Sequence, residues 1–227
     1  MTDDGLDSLL AGLKTRAQQS AEADPVGPDS GTVLVVSCSM AQCRHDLSLW
    51  PVDSSRTAHP LPTLGTQTWT RHDGQLAVDD TLTHSIATTD VEAILVVGHT
   101  DCDVVADAYD QWLTPSESVP AGISARLDPL VSLVDDAVEA GIVDSTMPAR
   151  TARHHLVEYN VVRQVGFLTE RLPAELTLVG YVHDQDGVYD VFPGKRYLIT
   201  VDGHTEAAEL ASRVPTDESA VVGSLCH

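Results

Sequence analysis

Basic residues are scarce in this sequence relative to acidic ones. Lysine and arginine together number 13 in 227 residues, against 34 aspartate and glutamate residues, so the formal net charge is -21. Such a field repels nucleic acid phosphates and anionic membrane surfaces, and we expect neither as a partner. The acidic residues are spread along the whole chain. This composition resembles that of halophilic proteins, in which salt screens the repulsion between like charges.

Cysteines and long apolar runs are also scarce. The four cysteines, Cys38, Cys43, Cys102 and Cys226, are too few in a chain of this length to indicate a disulfide framework. No apolar run approaches the roughly 20 residues that span a bilayer. The first residues lack the basic and apolar segments of a secretory signal. We therefore expect a cytoplasmic protein whose reduced thiols are free to bind metal.

The apolar residues are numerous enough for one folded domain, since they make up 42% of the chain. Residues 1–31 predict an amphipathic helical arm followed by a linker rich in proline and glycine. Residues 32–214 form the predicted domain, and residues 215–227 predict a loose tail. We expect the arm to dock on the domain or on a second subunit, because a helix with so narrow an apolar stripe is marginal alone.

The predicted elements alternate between strands and helices. Continuous apolar runs predict strands buried on both faces at 32–36, 94–97 and 176–182. Helical spacing of apolar residues predicts helices at 78–89, 104–113, 123–143, 149–172 and 205–213. Weaker patterns predict strands at 66–70, 188–192 and 197–201, and an irregular stretch at 44–64. Together these elements predict an α/β fold with a mainly parallel central sheet flanked by helices.

Two residues of the metal-ligand types follow one of these strands. His99 and Cys102 are separated by two residues after the strand that ends at Gly98, so a turn can aim both side chains at one point. Cys38 directly follows the first strand. Sites in such sheets form beyond the carboxyl ends of the strands, where all three side chains converge if the two strands are neighbours. Two sulphurs and one imidazole suit zinc, with a fourth position left for water.

Each of these residues alone has a simpler explanation. A cysteine at a strand end is most often a small buried hydrophobic residue, and a lone histidine is usually only hydrogen-bonded. The combination of Gly-His-x-x-Cys after one strand with a cysteine after another favours the metal. Cys226 and His227 could also bind metal, but a frayed terminus is the better interpretation of that pair.

The sequence resembles the β-class carbonic anhydrases over roughly residues 33 to 201. The most specific of the elements that carry the resemblance is Gly98-His99-Thr100-Asp101-Cys102. The others, in the same order as in the family, are Val35-Val36-Ser37-Cys38, Arg71-His72-Asp73-Gly74, Asn160-Val161-Val162-Arg163-Gln164-Val165 and Leu178-Val179-Gly180-Tyr181-Val182-His183-Asp184. The resemblance implies zinc on Cys38, His99 and Cys102, and a homodimer or a dimer of dimers. It also implies the interconversion of carbon dioxide and bicarbonate by zinc-bound hydroxide.

The sequence departs from the family pattern directly after Cys38. The family has Cys-x-Asp-x-Arg, in which the carboxylate orients the hydroxide and the arginine holds the carboxylate; here Met40 and Gln42 stand at those positions. A thioether takes no proton and makes no strong hydrogen bond. The residues that could take over this task are Asp101, Asp103 and His72, with Asp73, His45 and Asp46 as further candidates. On so acidic a chain, a solvated surface charge is the better interpretation of each aspartate.

Three classes of function follow. The first is a zinc enzyme that hydrates carbon dioxide with altered residues around the metal, or that hydrolyses a related small molecule such as carbonyl sulfide or carbon disulfide. The second is a catalytically impaired or inactive relative that keeps zinc for a structural or sensing role. A nucleotide-binding protein is the weakest, because the sequence has neither Gly-x-Gly-x-x-Gly nor a phosphate-binding Gly-x-x-x-x-Gly-Lys-Ser/Thr motif.

Overall fold

The computed structural model describes residues 31–40, 56–115, 120–190, 192–213 and 221–226. Its strands are β1 (Thr32–Cys38), β2 (Thr57–Thr63), β3 (Trp69–His72), β4 (Gln75–Val78), β5 (Val91–His99), β6 (Thr177–Asp184), β7 (Lys195–Val201) and β8 (Val221–Val222). Its helices are α1 (Asp80–Thr88), α2 (Asp103–Leu113), α3 (Ala121–Glu139), α4 (Ala149–Thr169) and α5 (Ala207–Arg213). A short 3-10 turn spans Leu64–Thr66.

The central sheet has the order β2-β1-β5-β6-β7-β8. Within the described residues every neighbouring pair in it is parallel except β6 and β7, which are antiparallel. Strands β3 and β4 form a separate antiparallel hairpin. The prediction of an α/β fold with a mainly parallel central sheet is therefore confirmed.

Helix α4 packs closely on the centre of the sheet because two glycines leave room for it. A Cβ atom on Gly98 would lie 2.8 Å from a Val161 methyl, and one on Gly180 would lie 2.7 Å from the other Val161 methyl. Such distances are too short for real contacts, so glycine is required at both positions. The close approach places α4 directly behind the carboxyl end of β5, where His99 lies.

The prediction of an irregular stretch at 44–64 is wrong for residues 57–63, which form the edge strand β2 parallel to β1. The Thr57 N–H donates to Gly31 O and the Thr63 carbonyl accepts from Ser39 N–H, so the odd-numbered residues of β2 bond to β1. Pro60 and Pro62 are even-numbered, and the N–H that each lacks would point away from the sheet. Proline is tolerated at such positions of an edge strand.

Three smaller predictions also need correction. The strand expected at 66–70 begins later than predicted, because residues 64–68 form a loop and strand β3 starts at Trp69. The strand expected at 188–192 is a turn for the residues described there, because the buried Asp184 carboxylate accepts the backbone N–H groups of residues 186, 188 and 189. The tail is not loose at residues 221–226, since β8 pairs with β7. The Glu158 carboxylate also accepts hydrogen bonds from residues 224 to 226.

Some predictions fall outside the described residues. These are the N-terminal arm, the stretch that holds Gln42, Cys43, His45 and Asp46, and His227. Among the helices that are described, none combines the length and the apolarity of a membrane span.

Candidate metal centre

Cys38, His99 and Cys102 lie together at the carboxyl ends of two neighbouring strands. Cys38 ends β1 and His99 ends β5, and these strands pair directly. Cys102 immediately precedes α2. One ligand atom from each of the three residues lies within 4.8 Å of the others, and all three residues are buried. The sheet order thus brings together the side chains that the sequence predicts to converge.

The two sulphurs have the spacing that a tetrahedral metal requires. Cys38 Sγ and Cys102 Sγ are 3.8 Å apart, and both cysteines are free thiols. Two sulphurs that each lie about 2.3 Å from one tetrahedral metal are separated by about 3.8 Å. The pair is therefore arranged as metal ligands would be.

The pKa values of the two thiols are shifted in opposite directions, with that of Cys38 lowered and that of Cys102 raised. The Cys102 thiol and the Met40 backbone N–H donate hydrogen bonds to Cys38 Sγ, and these lower the Cys38 pKa to about 4 against the opposing effect of burial. The pKa of Cys102 is raised because its proton is held by Cys38 and because burial and the neighbouring sulphur disfavour a second thiolate. A bound cation removes this conflict by displacing the remaining proton.

The His99 imidazole lies close enough to Cys38 to help lower its pKa, but neither ring nitrogen makes a hydrogen bond of normal geometry within the described residues. The side chain of His99 is buried, with 3% of the residue exposed, and both Nδ1 and Nε2 are unpaired. Buried polar atoms in native proteins nearly always have a partner, so an imidazole left without one requires an explanation. A metal ion bound through one ring nitrogen supplies it, and the donor set of one nitrogen and two sulphurs fits zinc.

Hydrogen bonds fix the turn that follows His99. The Thr100 N–H donates to the His183 carbonyl over 3.1 Å. The Thr100 hydroxyl accepts the N–H groups of Gln185 at 3.0 Å and Asp186 at 3.3 Å. The loop after β6 therefore holds the segment between two of the candidate ligands in place.

The chain beside Cys38 is the segment from Thr63 to Thr66. Thr63 pairs with Cys38 in the register of β1 and β2, and the Gly65 backbone N–H lowers the Cys38 pKa further. The Thr63 hydroxyl oxygen is buried and has no partner within the described residues. Sequence reasoning missed this segment because its strand contains two prolines. The sequence signal that could have found it is the glycine at position 65, because glycine marks sharp turns. In the structure Gly65 adopts a φ of +66°.

The three predicted catalytic residues lie on the surface. Asp101 and Asp103 are exposed, and Asp103 begins α2, where a negative charge is favoured by the helix dipole. His72 lies in the turn between β3 and β4; its side chain is 80% exposed and its Nε2 is 3.5 Å from the Asp73 carboxylate. In the part of the chain that the structure describes, the cluster of ligand atoms contains none of them. A catalytic role for these residues stays a prediction.

Met40 is 56% exposed, and its backbone N–H donates to Cys38 Sγ at 3.4 Å. The backbone at this position therefore supports the thiolate. Its side chain cannot orient a hydroxyl as a carboxylate would.

Comparison with known families agrees with this geometry. The carbonic anhydrase family model matches residues 66–183, slightly more than half of the chain. Solved structures that share this fold include β-carbonic anhydrases. The chain belongs to the β-carbonic anhydrase family. The matched residues include His99 and Cys102, whereas Cys38 and Met40 precede them.

Three of these solved structures show the extent of the likeness. The β-carbonic anhydrase CafA of Aspergillus fumigatus is 18% identical, with 82% of this chain and 84% of that chain covered and a TM-score of 0.50. The β-carbonic anhydrase CcaA is 14% identical, with 67% and 69% covered and a TM-score of 0.54. A structure from a study of two tetrameric β-carbonic anhydrases of Sordaria macrospora is 16% identical, with 68% and 76% covered and a TM-score of 0.50. At these identities the likeness shows the fold alone. No curated protein sequence matches the chain.

Proposed function

We propose that this chain is a zinc-dependent carbonic anhydrase that reversibly hydrates carbon dioxide to bicarbonate. The observation that carries the proposal is a buried cluster of two thiols and one unpaired imidazole, with no fourth histidine, cysteine or carboxylate ligand among the described residues. Three protein ligands and an open position are characteristic of catalytic zinc, whereas structural zinc usually has four protein ligands.

Cys38, His99 and Cys102 would hold the zinc in this enzyme. Zinc with an open position lowers the pKa of a bound water towards neutrality and so supplies the nucleophile that carbon dioxide requires. The Met40 N–H holds the Cys38 thiolate in place, and Thr100 fixes the turn between His99 and Cys102. The homodimer or dimer of dimers and the cytoplasmic location belong to the same proposal.

Met40 favours a second candidate, a zinc-binding relative with little or no hydratase activity. Without a carboxylate at this position, no group of the described cluster accepts the hydroxyl proton and orients the nucleophile. Such a protein would use zinc for structure or sensing, or would act on a related small molecule such as carbonyl sulfide.

Stopped-flow carbon dioxide hydration at high salt separates the two candidates. We expect the zinc-loaded wild type to hydrate carbon dioxide, and Cys102→Ala to lose both the zinc and the activity. Met40→Asp combined with Gln42→Arg should raise the rate by about 10- to 100-fold, because a positioned general base typically contributes at least that much. Thermal unfolding and zinc content of each variant serve as controls.

An inactive wild type with one zinc per chain would contradict the hydratase proposal. Recovery of activity in the double substitution would then show that only the two side chains after Cys38 were missing. Activity on carbonyl sulfide in place of carbon dioxide would support the related hydrolase instead.

A further inference from the structure

The loop beside Cys38 has an unusual backbone. Gly65 and Thr66 are consecutive residues with φ of +66° and +62°. This left-handed conformation is easy for glycine but strongly disfavoured for a β-branched residue such as threonine. Residues in such conformations persist only where the surrounding contacts impose them, and they cluster at functional sites.

Two polar residues one turn apart on α4 hydrogen-bond to the two ends of this loop. Asn160 Nδ2 donates to the Gly65 carbonyl at 2.9 Å, and Gln164 Nε2 donates to Asn160 Oδ1 at 2.9 Å. Gln164 Oε1 accepts both the N–H and the hydroxyl of Thr68 at 2.7 Å. Asn160 and Gln164 are 2% and 0% exposed. The two amides thus form one connected chain of hydrogen bonds that holds both ends of the loop 65–68.

The same loop is wedged between two of the candidate ligands. On one side it follows Thr63, whose carbonyl accepts the N–H of Ser39, the residue after Cys38, at 2.6 Å. On the other side a Cβ atom on Gly65 would lie 2.9 Å from a methyl of Val104, two residues after Cys102. The Thr66 hydroxyl also donates to the carbonyl of Val97, two residues before His99, at 3.1 Å. A shift of this loop therefore displaces the backbone around all three side chains.

We propose that Asn160 and Gln164 are positioning residues for metal binding, which hold the loop 65–68 against Cys38 so that Cys38, His99 and Cys102 keep the spacing that zinc requires. The inference rests on the proposed zinc site. The two amides hydrogen-bond to none of the three candidate ligands; Asn160 acts through the backbone of Gly65 and Gln164 through Thr68. Groups that hydrogen-bond a metal ligand directly typically change metal affinity 10- to 100-fold when they are removed, and we expect the lower end of that range from these more distant amides.

The test compares two alanine substitutions on the same helix. Asn160→Ala removes the bond to Gly65. Glu158→Ala, two residues earlier, removes an equally buried polar group whose partners are Tyr189 and residues 224–226, not the loop. Zinc affinity is measured by chelator competition, and the thiolate-to-cobalt absorption of the Co²⁺-loaded protein reports the sulphur geometry. We expect Asn160→Ala to bind zinc at least tenfold more weakly than Glu158→Ala and to alter the cobalt spectrum, with Glu158→Ala close to wild type.

Equal zinc affinities and equal cobalt spectra in the two variants would overturn the inference while leaving the zinc site standing. A wild type that binds no zinc would instead refute the proposed function. If Asn160→Ala does not fold, Thr68→Val replaces it, because this variant removes one hydroxyl bond to Gln164 and keeps the backbone bond. We expect a smaller loss of zinc affinity in the same direction, and an unchanged affinity there would overturn the inference too.

Discussion

Gly98 lies one residue before His99, where α4 crosses the sheet. Its missing side chain admits Val157 and Val161, since a Cβ atom there would lie 3.0 Å and 2.8 Å from their methyl groups. Because Gly98 has no side chain, α4, the helix that carries Asn160, can pack close to the metal cluster.

Gly98→Ala should destabilise the protein by about 1–3 kcal/mol, the usual cost of forcing a methyl group into a packed core. Gly166→Ala is the matched control, because Gly166 lies in α4 with nothing within 4 Å of a Cβ atom, and alanine there should stabilise the helix by up to about 1 kcal/mol. Urea unfolding measures both. Equal stability of Gly98→Ala and the wild type would show that α4 can move away from the sheet at no cost.

The elements differ in how far their sequences determine them. Strand β5 and the residues that follow it are readable from the sequence, because a continuous apolar run, a glycine and two ligand-type side chains are local features. Strand β2 is not, because its pairing depends on which side of Pro60 and Pro62 faces β1, and that depends on residues distant in the sequence. The Glu158 contacts of residues 224–226 escape prediction for the same reason.

The residues of the candidate site also differ in whether the sequence predicts them. The three candidate ligands could be predicted, since chemistry and spacing mark them. The roles of Asn160 and Gln164 could not, although both residues belong to the family resemblance, because polar residues in a helix reveal their partners only when the loop 65–68 is placed. The surface positions of Asp101, Asp103 and His72 depend equally on the fold.

The net charge of -21 acts on the molecule as a whole. Repulsion between like charges is screened over about 10 Å in 0.1 M salt and about 3 Å in 1 M salt. We expect the melting temperature to rise with potassium chloride, as the halophile-like composition predicts. Asp107 feels this repulsion in addition to burial, since burial and then the charges of Asp103 and Asp110 raise its pKa.

Asp107→Asn should raise the melting temperature at low salt, since a raised carboxyl pKa means that the folded state disfavours the ionised form. The gain in melting temperature should shrink in 2 M salt, because salt screens the repulsion from Asp103 and Asp110. Asp144→Asn is the control of equal charge change. Hydrogen bonds from Thr146 lower the Asp144 pKa, so the loss of the Asp144 carboxylate should lower the melting temperature at both salt concentrations. A salt-independent gain at Asp107 would argue against screening as the cause.

Zinc K-edge X-ray absorption of the zinc-loaded protein tests the central claim most directly. The cluster of Cys38, His99 and Cys102 predicts two sulphurs at about 2.3 Å, one imidazole nitrogen at about 2.0–2.1 Å and one further light atom. Fewer than two sulphurs, a third sulphur or a second imidazole around the zinc would contradict a three-ligand site with an open position.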